Sequence, residues 1–222
     1  MFRNVIFTEV ISVVLVMFSV VLHEIAHGWA AWRLGDPTAK QAGRLTLNPL
    51  AHLDLFGSVI MPLMLAVVPR PVPVFAFAKP VPYNPRNLRH PVRDEVLVAL
   101  AGPLCNLLQA LVGALLFRVL YSTWTGDLGV SYYVLSGLTS YIYVNLTLMF
   151  FNLIPLPPLD GSAIVSPLLK GDARVAYYKV QRYAMPILLI LLWVLPYVLR
   201  FDPLGVYLNA TAGNLYNVLL GV

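Results

Sequence analysis

Apolar runs of membrane-spanning length alternate with short polar loops along this chain. Residues 5–32 hold no charge before Glu24 except Glu9. At a rise of 1.5 Å per residue such a helix reaches about 40 Å, enough to cross a bilayer. Residues 96–121 and 132–154 form two further runs joined by a short polar loop, and 183–199 form a fourth, shorter and interrupted by Pro186 and Pro196. Residues 203–222 are apolar but contain Asn and Gly, which suits a position along the interface. Residues 53–68 are short for a span, begin beside Asp54 and contain Pro62.

Charge decides how 53–68 is read. If it re-enters and leaves on the same side, loop regions 33–95 and 161–182 share one face of the membrane. That face then carries twelve basic residues: Arg33, Lys40, Arg44, Arg70, Lys79, Arg86, Arg89, Arg93, Lys170, Arg174, Lys179 and Arg182. The opposite face keeps Arg3, Arg118 and Arg200. Excess Lys and Arg mark the cytoplasmic side, so a re-entrant or interfacial 53–68 is favoured, with the N-terminus outside. A full crossing would move five basic residues outward. The pattern predicts an all-α polytopic membrane protein, with about four to six membrane-embedded helices. It forms a single domain over 1–222, with a core at about 5–165 and accessory C-terminal helices at about 166–222.

Composition agrees. The 222 residues are 59% hydrophobic and 11% charged, against roughly a quarter charged in a soluble domain, and the mean hydropathy is +0.76. The net charge of +5 comes without the basic stripe and interleaved aromatics of a nucleic-acid binder, so no nucleic-acid partner is expected. Cys105 is the single cysteine, which excludes an intrachain disulfide and a cysteine zinc cluster. The first run is too long for a signal peptide.

Against this background the stretch VVLHEIAHGWA, residues 20–30, stands out. Titratable groups at membrane depth cost several kcal/mol unless paired or bound to something. Residues i and i+4 share a helix face, so His23 and His27 can direct ring nitrogens at one ion. Glu24, about 100° around, can reach a water there without being a ligand. This is the HExxH pattern of zinc hydrolases; the bland alternative is a hydrogen-bonded pair of buried histidines. Zinc needs a third protein ligand and an open position. The best candidate is Asp160 in FNLIPLPPLDG, residues 151–161, where Pro155, Pro157 and Pro158 end the helix. Irregular backbone at that depth is tolerated where protein buries it or a wet cavity adjoins it. Asp54 and Asp202 are weaker competitors. AGPLCN, residues 101–106, is expected to open the second long run, with Asn106 either donating to a developing oxyanion or bonding a neighbouring helix.

Together, HEIAH in a membrane helix, AGPLCN opening the next and NLIPLPPLDG closing the one after resemble the site-2 protease family of intramembrane zinc metalloproteases. The resemblance covers roughly residues 5–165. It implies one Zn²⁺ per chain bound by His23, His27 and Asp160, with Glu24 as catalytic base and Asn106 assisting at the substrate carbonyl. Asn152 belongs to the Asp-bearing motif and is placed with the substrate-binding residues. The implied activity is hydrolysis of peptide bonds within or near transmembrane segments of other proteins. The chain is expected to lack PDZ and CBS modules, and self-association is left open.

Residues 71–84, PVPVFAFAKPVPYN, suit an edge strand or small β-hairpin, since Val72, Val74, Phe75 and Phe77 favour extended backbone and four prolines forbid a central strand. Such an edge can hold an unwound substrate by strand addition, with Val74, Phe75 and Phe77 as substrate-binding residues; the alternative is a Pro-rich interfacial loop. The resemblance also implies a membrane-associated β element here. His52 and His90 are expected at the surface or interface, with His52 the better candidate for a supporting or gating role. The competing function is a polytopic metal-ion or solute transporter using the same His and Asp groups, though no repeated halves are visible. An inactive scaffold is the third reading.

Overall fold

The computed structural model describes residues 2–54, 79–126 and 129–221. Helix α1 spans Phe2–Arg33, followed by the short α2, Thr38–Gln41. Two long helices follow, α3 (Pro91–Ser122) and α4 (Val130–Asn152). The short α5, Asp160–Val165, leads to α6, Gly171–Gln181, and to α7, Ala184–Val198, which carries a π-turn at Ile190–Val194. The last helix, α8, covers 203–220 with a π-turn at Asn209–Gly213. Among the described residues there is no strand.

Val14–Arg33 of α1, α3 and α4 are each long and apolar enough to cross a membrane, and α6 with α7, bent by 64°, make a fourth if counted as one span. Helix α3 starts before its apolar run because its N-terminus is built locally. Pro91 sits in the first turn, where its missing N–H costs nothing, and Asp94 accepts the His90 N–H at 2.8 Å. This corrects one expectation: Gly102 and Pro103 lie inside α3 rather than at its start.

Helix α3 lies between α1 and α4. Its small residues Ala110 and Ala114 pack on Ile142 and Leu146 of α4, and a Cβ on Gly113 would stand 3.0 Å from Ile142 Cγ1. Small residues at this spacing let membrane helices approach closely. Polar groups tie the same three helices: Asn145 donates to Ser19 Oγ at 2.9 Å, and Tyr141 donates to Gln109 Oε1 at 2.7 Å. Ala212 of α8 joins this core, with Leu215, Tyr216 and Leu219 packed against it. Residues 203–220 of the tail are therefore a helix docked on α3 and α4.

The loop after α1 is held by buried charge. Asp36, fully buried, accepts from Thr38 N–H (3.1 Å), Thr38 Oγ1 (2.5 Å), Asn84 N–H (2.6 Å) and Asn87 Nδ2 (2.8 Å). Arg44, also buried, donates to the Ala51 carbonyl, to Lys79 O at 2.6 Å and to Pro80 O at 3.3 Å. Lys79 N–H donates to His52 O at 2.9 Å, so residues 51–52 and 79–80 lie side by side. Residues 79–84 run without a ladder partner among the described residues; the rest of the expected edge strand, including Val74, Phe75 and Phe77, lies outside the described residues.

Burial raises the Asp36 pKa, and the bonds from Thr38, Asn87 and Asn84 together lower it further, leaving it below the usual carboxylate range. A depressed folded-state pKa contributes stability above the unfolded value, about 4, and loses it as pH falls through the folded value. Thermal unfolding in detergent should therefore show stability falling below about pH 4, and Asp36→Asn should flatten that dependence. An unchanged pH profile in Asp36→Asn would refute this assignment.

Candidate active site

His23 and His27 sit one turn apart on the face of α1 turned toward α3. Their rings meet edge to face with centroids 4.6 Å apart. Asp160 arrives from the far end of α4, where the chain unwinds over 153–159 and restarts as α5. Leu156 and Leu159 of that loop are buried against Ala184, Leu188 and Leu192 of α7, and Tyr177 of α6 donates to Pro155 O at 3.0 Å. The loop is thereby held by two accessory helices.

Gly161 explains the second residue of the Asp-Gly pair. A Cβ there would stand 2.3 Å from Leu153 O and 2.5 Å from Ile154 O, distances that backbone atoms cannot relieve without moving the loop. Gly161→Ala should consequently displace Asp160 and reduce zinc affinity by at least about tenfold, the scale seen when supporting groups of a metal site are lost. Zinc titration of the purified variant measures this; wild-type affinity would contradict it.

The three side chains converge. His23 Nε2 lies 3.0 Å from His27 Nε2 and 3.2 Å from Asp160 Oδ2, and His27 Nε2 lies 3.3 Å from Asp160 Oδ1. Among the described residues this is the one His/Cys/Asp/Glu group whose donor atoms all fall within 4.8 Å of each other. Ring tautomers follow from the partners. His27 Nδ1–H donates to Val98 O at 2.7 Å, and His23 Nδ1–H donates to Asn106 Oδ1 at 3.1 Å. With Nδ1–H engaged, each ring turns its Nε2 to the centre, where a carboxylate also points. Three such donor atoms in mutual contact favour a cation, a proton or a metal ion, held between them. A tetrahedral zinc with bonds of about 2.0–2.1 Å has ligand–ligand edges of about 3.3 Å, close to the separations seen. The donor set fits zinc.

Gly102 makes room for this arrangement. A Cβ at that position would lie 2.3 Å from His27 Nε2 and 2.6 Å from His23 Cε1. Val98, Gly102 and Asn106 follow at intervals of four on α3, so one face supplies a carbonyl, a gap and an amide to the two histidines.

A cavity of roughly 500 Å³ adjoins the cluster, lined among others by Glu24, Val81, Tyr83, Asn106, Asn152 and Asp160. Glu24 Oε2 accepts the Val81 N–H at 2.8 Å. Asn106 is fully buried, and its Nδ2 has no hydrogen-bond partner among the described residues. Asn152 donates to Leu148 O at 3.0 Å within its own helix and borders the cavity. Tyr83 bonds Glu95; burial above all, then the charges of Glu95 and Asp160, push its pKa to about 12, so it remains a donor.

His52 is buried rather than exposed, with its Nε2–H donating to Thr46 O at 2.9 Å, and it does not border the cavity. His90 stands at the N-terminal boundary of α3 without a side-chain capping bond, and Asp202 caps α8 by accepting Gly205 N–H at 2.7 Å. The roles of Val98, Gly102 and Val81 were missed in the sequence; the four-residue spacing of Val98, Gly102 and Asn106 was the available signal for the first two.

Comparison with known proteins shows the family. The family model described as Peptidase family M50 matches residues 129–195. The "Putative zinc metalloprotease YwhC" of Bacillus subtilis is 36% identical over 196 residues, covering 88% of this chain and 82% of that protein. The chain belongs to peptidase family M50. Two proteins named "Putative zinc metalloprotease Rip2" are also similar to this M50 peptidase. The one from Mycolicibacterium smegmatis is 28% identical over 176 residues, or 79% of this chain and 64% of that one. The one from Mycobacterium tuberculosis strain H37Rv is 29% identical over 176 residues, 79% and 63% respectively. No solved structure matches. This M50 peptidase is a multi-pass membrane protein and an intramembrane zinc metalloprotease. The transporter alternative is not favoured.

Proposed function

We propose that His23, His27 and Asp160 hold the zinc, that Glu24 is the catalytic base, and that the enzyme cleaves peptide bonds within or near transmembrane segments of other membrane proteins. The observation that carries this reading is the convergence of two Nε2 atoms and one carboxylate within 4.8 Å, beside a cavity that also holds Glu24 and Asn106. Bound zinc supplies Lewis-acid polarisation of water and carbonyl oxygen. Glu24 takes the proton of the attacking water and returns it to the leaving amine. Val98 O and Asn106 Oδ1 each accept a ring Nδ1–H and so keep both imidazoles aimed with Nε2 toward the centre. Asn106 Nδ2, a buried donor without a partner among the described residues, offers its N–H to the oxygen of the scissile carbonyl as charge develops there. Asn152 lies on the substrate side of the cavity.

Residues 1–222 are read as a single domain. The active site faces the cytoplasm with the N-terminus outside, and 53–68 is re-entrant. The distribution of basic residues supports this, as does the contact between residues 51–52 and 79–80, which sets both ends of the intervening stretch on one side. Single cysteines at 40, 86 and 174 in a Cys105→Ser background should label from the cytoplasm, and one at 127 from outside; opposite labelling of 40 and 86 would refute the topology. A decisive test of function is zinc content together with cleavage of a transmembrane substrate by the purified protein in lipid. About one zinc per chain and cleavage lost in His23→Ala and His27→Ala are expected. A metal-free protein, or cleavage that survives either substitution, would overturn the reading.

A further inference from the structure

The tetrapeptide Lys79-Pro80-Val81-Pro82 is unusual backbone to place against a catalytic carboxylate. Pro80 and Pro82 have no N–H, so between Lys79 and Tyr83 the chain offers one amide, that of Val81. It points at Glu24 Oε2 at 2.8 Å. The strap that carries this amide is clamped on both sides. Upstream, Arg44 binds the carbonyls of Lys79 and Pro80, and Lys79 N–H binds His52 O. Downstream, Asp36 accepts Asn84 N–H and Asn87 Nδ2. Both charged clamps are buried, where a charge is costly unless hydrogen-bonded; Asp36 accepts through both oxygens, and Arg44 donates through both terminal nitrogens. Neither borders the cavity. Val81 itself is buried and fits over Gly28 of α1, where a Cβ would meet Val81 Cγ1 at 2.8 Å.

We infer that Asp36 and Arg44 are positioning residues for peptide hydrolysis: they hold the 79–84 strap so that the Val81 amide fixes the Glu24 carboxylate against the scissile bond. This rests on Glu24 acting as the base. With Oε2 bonded to Val81, Oε1 is left to face the water, and rotation of the side chain away from the cluster is resisted. The strap has no second N–H to give a substrate strand between 80 and 82, so donors for strand addition must come from elsewhere.

The test compares Asp36→Asn, Arg44→Gln and Val81→Pro with Thr38→Val in lipid-reconstituted enzyme, with rates expressed per zinc-loaded folded molecule. Asp36→Asn turns an acceptor into a donor facing Asn84 N–H, Arg44→Gln weakens the upstream clamp, and Val81→Pro deletes the amide directly. Each should lower kcat by about tenfold or more, since small displacements of a catalytic group cost up to about a hundredfold, while KM changes by less than about twofold. Thr38→Val removes a bond to Asp36 but none to the strap and should keep kcat within about twofold. Wild-type kcat per loaded molecule in Val81→Pro, or equal losses in Thr38→Val and Asp36→Asn, would overturn the inference. If one clamp variant does not fold, the other and Val81→Pro still decide. Glu24→Gln run in parallel separates the two failures: cleavage by Glu24→Gln removes the premise, whereas an inactive Glu24→Gln beside a fully active Val81→Pro removes only the strap.

Discussion

Glu24→Gln should bind zinc as tightly as wild type, fold normally and lose proteolysis by about a hundredfold to ten-thousandfold, the range attributed to a positioned acid–base group. The substitution is nearly isosteric. Its carbonyl oxygen can still accept the Val81 N–H, now 2.8 Å from Oε2, so the strap has no reason to move. The three groups around the metal position are untouched. What the amide cannot do is take a proton from water or hand one to a leaving nitrogen. Metal analysis and turnover of a transmembrane substrate on the same preparation measure both halves. A variant that still cleaves at the wild-type rate would refute the chemistry, and one that loses zinc would show that Glu24 supports the metal site.

The second large effect is expected at Gly102. In most helix interiors Gly→Ala is favourable by roughly 0.5–1 kcal/mol, because alanine loses less backbone entropy. Here packing opposes propensity and wins. The added methyl would sit 2.3 Å from His27 Nε2, the atom proposed to bind zinc. His27 cannot swing clear without breaking the 2.7 Å bond from its Nδ1–H to Val98 O. Gly102→Ala should therefore lower zinc affinity by about a hundredfold, at the upper end of losses caused by disturbing groups that orient ligands, with loss of activity alongside. Gly113→Ala in the same helix is the control. Its nearest contact is 3.0 Å, to the side chain of Ile142, which can adjust by a few tenths of an ångström, so zinc binding should not change. Equal zinc affinity in both variants would show that the histidines tolerate a side chain at 102.

Much of the site could be read from local pattern. The i, i+4 spacing of His23 and His27 is a property of any helix, and their apolar surroundings made an unpartnered pair costly. The prolines of 155–158 announced the end of α4, and the need for a third ligand pointed to Asp160, which lies beside both histidines. Helix boundaries were less legible. The apolar run suggested a start near 96, but α3 begins at Pro91 because the Asp94–His90 bond extends it into polar sequence. Gly102-Pro103 looked like a helix opening, whereas the glycine is a mid-helix gap matched to two imidazoles on another helix. His52 looked superficial and is buried, because its ring and carbonyl serve the contact between residues 46–52 and 79.

The sequence by itself determined the membrane class, the three long apolar helices and the chemical types at the site, since these follow from hydropathy and from periodicity within one helix. Only the tertiary structure decided how those groups are aimed. Val98 O meets His27 across 71 positions, Asn106 meets His23 across 83, and the Val81 amide meets Glu24 across 57. Two of these three partners use backbone atoms, a carbonyl that every residue offers and an N–H that only proline lacks, so no side-chain pattern could single them out. Their positions follow from the close approach of α1 and α3 and from two buried charged side chains in a loop, and such long-range packing leaves no period in the sequence to read.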